Sequence, residues 1–207
     1  MNFVMTTLLS HKENVHDSLT GVKGSFVKTF KAIKNLINKN IPVEINIIIT
    51  SKNYEHLVDI VKFIKINFPE ATLALSFVRP EGNALKNKWI IPKLTAIKSH
   101  LIETLNFCEK NKMNFTITDC GTIPLCFIQG FEKRSVQTQT KNDLIDRLNS
   151  MGFVDFKQTS EKVKSPLCES CGANNLCVGV WKNYAKIYGL DELTPIYEKV
   201  DNNGKKR

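Results

Sequence analysis

No apolar run in the 207 residues approaches the roughly 18 needed to cross a bilayer. The opening MNFVMTTLLS has neither the basic start nor the small-residue cleavage site of a secretory signal. A cytoplasmic protein is the expectation. A glycine-rich phosphate cradle is also missing, because GVKG between Gly21 and Gly24 is too short and wrongly placed to serve as one. Histidine is scarce and forms no ligand set: His11 and His16 fall near strand ends, where either could meet a ligand, while His56 and His100 read as surface or boundary residues on helices. Acidic residues are fewer than basic ones, 20 against 29, for a net charge of +9. A basic surface gains free energy by releasing counterions from phosphate. Here, however, Lys28, Lys31, Lys34, Lys39, Lys62 and Lys65 scatter over helix faces without interleaved aromatics, so nucleic acid is not the expected partner.

What is present is ordinary core material, 42% hydrophobic and 24% charged. Residues Phe3 to Leu9 form a short apolar run that reads as a buried strand, followed by a polar loop from Ser10 to Gly24. Ser25 is placed to cap a helix carrying Phe26, Phe30, Ile33, Leu36 and Ile37, which stops before Pro42. Val43 to Thr50 (VEINIIIT) is the pattern of a strand covered on both faces. A helix from Asn53 then buries Leu57, Ile60, Val61 and Ile64, and Thr72 to Val78 gives a third strand. Pro92 opens a helix with Leu94, Ile97, Leu101 and Leu105, before a fourth strand starts at Phe115. This alternation predicts βα units around a parallel sheet, whose ligands sit beyond the carboxyl ends of the strands, near Ser10, Thr50, Arg79 and Cys120. After Gly121 the pattern breaks: Ile123 to Gly130 is irregular, Gly130 to Lys164 is polar with one weak helix over Asn142 to Ser150, and Asn202 to Arg207 reads as a frayed basic tail.

Six cysteines in a cytosolic chain point to metal or redox chemistry before disulfides. Cys168, Cys171 and Cys177 form a C-x2-C-x5-C string on a loop, whose short first interval lets two thiolates reach one centre without strain. Three ligands do not complete a site. Cys126, just past the last strand, is the best fourth, with Cys120 as substitute or additional ligand. Spacing alone leaves zinc and an iron-sulfur cluster both open. Cys108 follows Leu101 and Leu105 along one helix face and reads as core filler.

Several strings taken in order resemble the radical S-adenosylmethionine (radical SAM) enzymes that carry a SPASM- or twitch-like auxiliary cluster region. They are Leu9-Ser10; Val15-His16-Asp17 with Leu19-Thr20-Gly21 and Gly24-Ser25-Phe26; Val43 to Ile49 with Asn46; Arg79-Pro80 with Gly82-Asn83-Ala84; Ile123 to Cys126; and Cys168 to Cys177 running into Gly179-Val180-Trp181, Tyr184 and Tyr188-Gly189. The resemblance implies an α/β fold: the carboxy-terminal part of a partial (β/α)6 TIM-like barrel over residues 1–119, an irregular auxiliary-cluster region over 120–200, and a disordered tail at 201–207. It further implies S-adenosylmethionine across the strand ends, contacted by Ser10, Asn46, Val78 and Arg79, and one auxiliary [4Fe-4S] cluster on Cys126, Cys168, Cys171 and Cys177, with Cys120 in reserve.

Three departures qualify the implied activity. The C-x3-C-x2-C string that holds the SAM-cleaving cluster in such enzymes is absent, Thr20 stands where many members carry Arg, and Trp181 stands where a fuller SPASM region continues with cysteine. The expectation is therefore the back half of an enzyme acting on a peptide or other natural-product precursor, inactive alone: either truncated, or split with a separate half bearing the missing cluster, or a derivative without the radical chemistry. The alternative is a non-catalytic zinc- or iron-sulfur-binding module. Trp181, Tyr184 and Tyr188 read as packing around the site before electron relays.

Overall fold

The structure is a computed structural model that describes residues 3–118, 121–139, 161–198 and 200. Four parallel strands run through its centre in the spatial order β1 (Val4–Thr7), β2 (Val43–Ile49), β3 (Thr72–Phe77) and β4 (Phe115–Ile117). The register sets Thr7 beside Asn46, Asn46 beside Ala74, and Leu75 beside Ile117. Spatial order follows chain order, so every crossover steps the same way. That progression is consistent with a partial α/β barrel, whereas a doubly wound sheet reverses its order at a switch point.

The helices supply the buried layer. These are α1 (Glu13–Thr20), α2 (Ser25–Asn38), α3 (Leu57–Asn67), the single turn α4 (Asn83–Lys86) and α5 (Leu94–Lys110). In α3 the apolar residues at helical spacing, Leu57, Ile60, Val61 and Ile64, are all fully buried, and in α5 so are Ile97, Leu101, Leu105 and Cys108. They meet Ile45, Ile47, Ile49, Leu73 and Leu75 of the sheet in one hydrophobic cluster. Each such aliphatic side chain removed from water stabilises the fold by about 1.5–3 kcal/mol. Phe26 and Phe30 of α2 pack against Phe63 of α3, and Phe30 lies 4.9 Å from Phe68.

Several local expectations need correction. The stretch from Ser10 to Gly24 is not a loop, because it contains α1. Apolar periodicity is weak there, and the one fully buried side chain of α1 is polar: His16 accepts the Leu9 N–H at 3.2 Å on Nδ1, tying the helix to the end of β1. Ser25 is not a cap either. It is the first helical residue, and the Asp17 carboxylate does the capping, accepting from the Phe26 N–H and the Ser25 hydroxyl at 2.8 Å each and from the Gly24 N–H. Those bonds, the Phe26 one foremost, hold Asp17 below the usual carboxylate range. Before α3 the chain makes a 3-10 turn over Tyr54–His56, and α5 starts at Leu94, two residues after Pro92. The helix expected at Asn142 to Ser150 and the tail lie outside the described residues.

Beyond β4, Gly121 accepts the Phe77 N–H at 2.8 Å. A β-carbon there would sit 1.6 Å from the Phe77 carbonyl oxygen, so only glycine allows this approach. Ser135 then bridges to Ile117 in parallel fashion, and Arg134 lies 2.8 Å from Glu109 while its guanidinium stacks 4.6 Å from the Phe115 ring. The last part of the chain forms a two-stranded antiparallel ribbon, β5 (Lys162–Val163) with β6 (Val180–Trp181), followed by α6 (Lys182–Tyr188). Among the described residues, no helix is long and apolar enough to cross a membrane.

Candidate metal centre and strand-end site

Cys126, Cys168, Cys171 and Cys177 line one small cavity. Two separate pieces of chain deliver them. Cys126 is buried in a 3-10 turn, Leu125–Phe127, directly after Pro124. Cys168 sits in the turn Pro166–Ser170, whose preceding Ser165 takes the Leu167 N–H on its hydroxyl. The Cys171 N–H then donates to the Cys168 carbonyl at 3.1 Å, and the Cys177 N–H to the Ala173 carbonyl at 2.8 Å, winding the loop around the cavity. Gly179, at φ +81°, lets the chain pass Val163, whose carbonyl oxygen would lie 2.2 Å from any β-carbon at that position. Leu193, Thr194 and Ile196 close the far wall.

Backbone N–H groups point at the sulfurs. Ile196 donates to Cys171 Sγ at 3.3 Å. The Thr194 N–H is directed at Cys126, and the N–H groups of Leu125 and Gly179 at Cys177. Burial pushes the Cys126 thiol up to about 12, against the Thr194 N–H, and the other three sulfurs add to the rise. Burial likewise pushes Cys177 upward, opposed by its two N–H donors and the Lys164 charge. Without a metal these two thiols hold their protons at neutral pH, so metal binding must release them. The donor set fits an iron-sulfur core: four thiols, N–H groups that hydrogen-bond to sulfur, and an apolar shell. Among the described residues, no group of three or more His, Cys, Asp or Glu side chains stands close enough to hold a metal ion as the side chains are placed. Cys120 lies outside the described residues. Cys108 is fully buried in α5, away from the cavity lining, as its spacing predicts.

This region is bound to the sheet unit by polar contacts of the aromatic helix α6. The Leu94 N–H donates to the Tyr184 hydroxyl at 2.8 Å, and that hydroxyl donates to Glu192. Glu192 also accepts the Thr95 N–H at 2.9 Å and the Thr95 hydroxyl, so its carboxylate caps the start of α5. Tyr188 donates to the Ile91 carbonyl at 2.7 Å, and Asn183 to that of Pro80. Trp181 is 2% exposed and lies between two cations, the Arg79 guanidinium 4.4 Å and the Lys162 ammonium 5.0 Å from its ring.

At the strand ends, Ser10 is buried and its hydroxyl accepts the Lys12 N–H at 3.0 Å. Val78 extends the sheet by donating to the Ile49 carbonyl at 2.9 Å. Arg79 lies 2.8 Å from Glu81 besides stacking on Trp181. Ser10 and Val78–Arg79 thus follow the ends of β1 and β3, whereas Asn46 lies inside β2 and accepts the Ser76 hydroxyl at 2.9 Å. Sequence reasoning missed Asn53. It is 1% exposed, donates to the Leu9 and Ile48 carbonyls at 2.8 and 2.9 Å, and accepts the Thr50 N–H at 2.7 Å, joining the ends of β1 and β2. A Thr-x-x-Asn string directly after a strand was the available signal.

Neither a family model nor a curated protein matches the chain. Among solved structures it is similar to Streptococcus suis SuiB bound to S-adenosylmethionine, with a TM-score of 0.51 and 15% identity over 92% of this chain and 52% of SuiB. A second SuiB structure gives 0.48 and 14% over 92% and 53%. The chain therefore spans about half the length of SuiB. At this identity the likeness is one of fold alone.

Proposed function

We propose that this chain holds one [4Fe-4S] cluster on Cys126, Cys168, Cys171 and Cys177 and serves as the carboxy-terminal portion of a radical SAM enzyme acting on a peptide or other natural-product precursor. The observation that carries the reading is the one cavity lined by three thiols of a single loop and a fourth from 42 residues earlier, Cys126, with backbone N–H groups turned toward three of them. When bound, such a cluster supplies an electron acceptor or an anchor for substrate. The protein's part is to hold it by the four sulfurs, to spread their charge through N–H···S hydrogen bonds, and to keep water out with Leu125, Leu193 and Ile196.

On the same reading, Ser10, Asn46, Val78 and Arg79 contribute to a partial S-adenosylmethionine site along the strand ends. SuiB's bound S-adenosylmethionine supports that assignment by likeness of fold. The C-x3-C-x2-C string is absent from these 207 residues, so reductive cleavage of S-adenosylmethionine requires cysteines supplied by polypeptide outside them. Cys120, next to Gly121, is a reserve ligand.

Anaerobic reconstitution with iron and sulfide tests the proposal. The expected product is brown and binds about four irons per chain, as a four-thiolate cubane requires. A colourless protein holding one zinc would replace the proposal with the non-catalytic module.

A further inference from the structure

Along the sequence the lysines look scattered, but the fold gathers one group of them. Between Asp17 and Glu44 there is no acidic residue, while Lys23, Lys28, Lys31, Lys34 and Lys39 all occur there. All five are exposed. Helix α2 turns Phe26, Phe30, Ile33, Leu36 and Ile37 toward the core, and its outward surface is left with Lys28, Lys31 and Lys34 at three-residue intervals beside Asn35 and Asn38. At 14 residues, α2 presents this surface over about 21 Å. Among the described residues, no carboxylate pairs with any of the five lysines. Helix α3 handles its charge differently, with Lys62 held 3.8 Å from Asp59, and on α5 Glu109 is paired with Arg134. A general excess of lysine in the chain does not explain why 14 helical residues with three exposed lysines include no acidic one.

We infer that the outward face of α2 docks an acidic segment of another polypeptide. Charge complementarity gives the sign of the partner. Two further features select its class. Val22 and Val27, 52% and 39% exposed, sit among the lysines and offer apolar contact that a phosphate backbone cannot use. The aromatics of α2 face inward, and no arginine lies on the surface, so the base stacking and bidentate phosphate contacts of nucleic-acid readers are missing. No Trp, Phe or Leu projects outward from α2 to enter a lipid surface. This binding needs neither sulfur nor iron, so it stands or falls apart from the metal reading.

The test is fluorescence anisotropy of the full chain with a short labelled peptide alternating glutamate and leucine, across a range of sodium chloride. Binding is expected at low salt and should weaken steeply as salt screens it. Reversing Lys28, Lys31 and Lys34 together to Glu should weaken binding by about tenfold or more, and the same three changed to Gln should give an intermediate loss that does not depend on refolding a reversed surface. Reversing the exposed Lys86, Lys88 and Lys110 makes the same change in net charge elsewhere and should leave most of the affinity. Equal losses in the two reversed triples would overturn the inference, as would no binding at low salt. Tighter binding to a short DNA duplex or to phosphatidylserine vesicles at the same salt would overturn it as well.

Discussion

The sheet unit and the cysteine region are built on opposite plans. Residues 3–118 are held by a continuous apolar cluster between four paired strands and the helices on them, with Ile45, Ile47, Leu57, Ile64, Leu73, Ile97 and Leu101 fully buried. Residues 161–198 have a two-residue ribbon, one short helix and a cavity lined with thiols. They attach through polar contacts made by Tyr184, Tyr188, Asn183 and Glu192 and through Val180, Trp181, Leu193 and Ile196, which join the edge of the same apolar cluster. The first region follows from burial, which is summed over many side chains and tolerates substitution. The second adds a few groups, each with a specific partner.

Perturbing each plan separately should expose the difference. Ile45→Ala removes a fully buried side chain between β2 and the helices and should cost about 2–5 kcal/mol in urea unfolding, affecting the whole molecule. An unchanged midpoint would show that the sheet unit is not the cooperative core. Cys177→Ser should act elsewhere: bound iron after reconstitution should fall from about four per chain to near none. Amide exchange should then quicken over residues 161–198 while β2 and α3 stay protected. Loss of protection in β2 as well would mean that the two regions fold as one unit. Smaller still, Tyr184→Phe deletes a hydroxyl that takes the Leu94 N–H and gives its proton to Glu192. Leaving these partners unsatisfied should cost about 1–3 kcal/mol, read as faster exchange at the start of α5.

How far each region was legible follows from the same contrast. The strand VEINIII and the Leu57, Ile60, Val61, Ile64 spacing announce themselves because burial repeats with the period of the element. The C-x2-C-x5-C loop is legible because its three cysteines are neighbours in sequence, and Cys126, chosen by position, lines the same cavity. Helix α1 escaped notice because its buried face is one histidine hydrogen-bonded to a strand end. The cap on α2 was assigned to Ser25 when a carboxylate eight residues earlier supplies it. Glu192 capping α5 from 97 residues away has no local signature at all. Polar contacts between distant residues carry no period, so pattern reading passes over them.

Glu192 offers the finest test of the junction. Burial alone would raise its pKa, but bonds from the Thr95 hydroxyl, the Tyr184 hydroxyl and the N–H groups of Thr95 and Leu94 outweigh burial and leave it below the ordinary 4.5. A folded-state pKa below the unfolded one means that the carboxylate stabilises the docked junction at neutral pH. The contribution is full above the unfolded value and is lost as pH falls through the lower folded value. Protection of the Thr95 amide should therefore decline on acidification below about 4.5. In Glu192→Gln that decline should flatten, with weaker protection at pH 7, because one amide oxygen can still accept the Thr95 donors but the NH2 cannot accept the Tyr184 hydroxyl, and the charge that favours a helix start is gone. An acid response surviving in Glu192→Gln would assign the junction's pH sensitivity to another carboxylate, and Asp17 at the start of α2, also held below the usual range, would be the next to change.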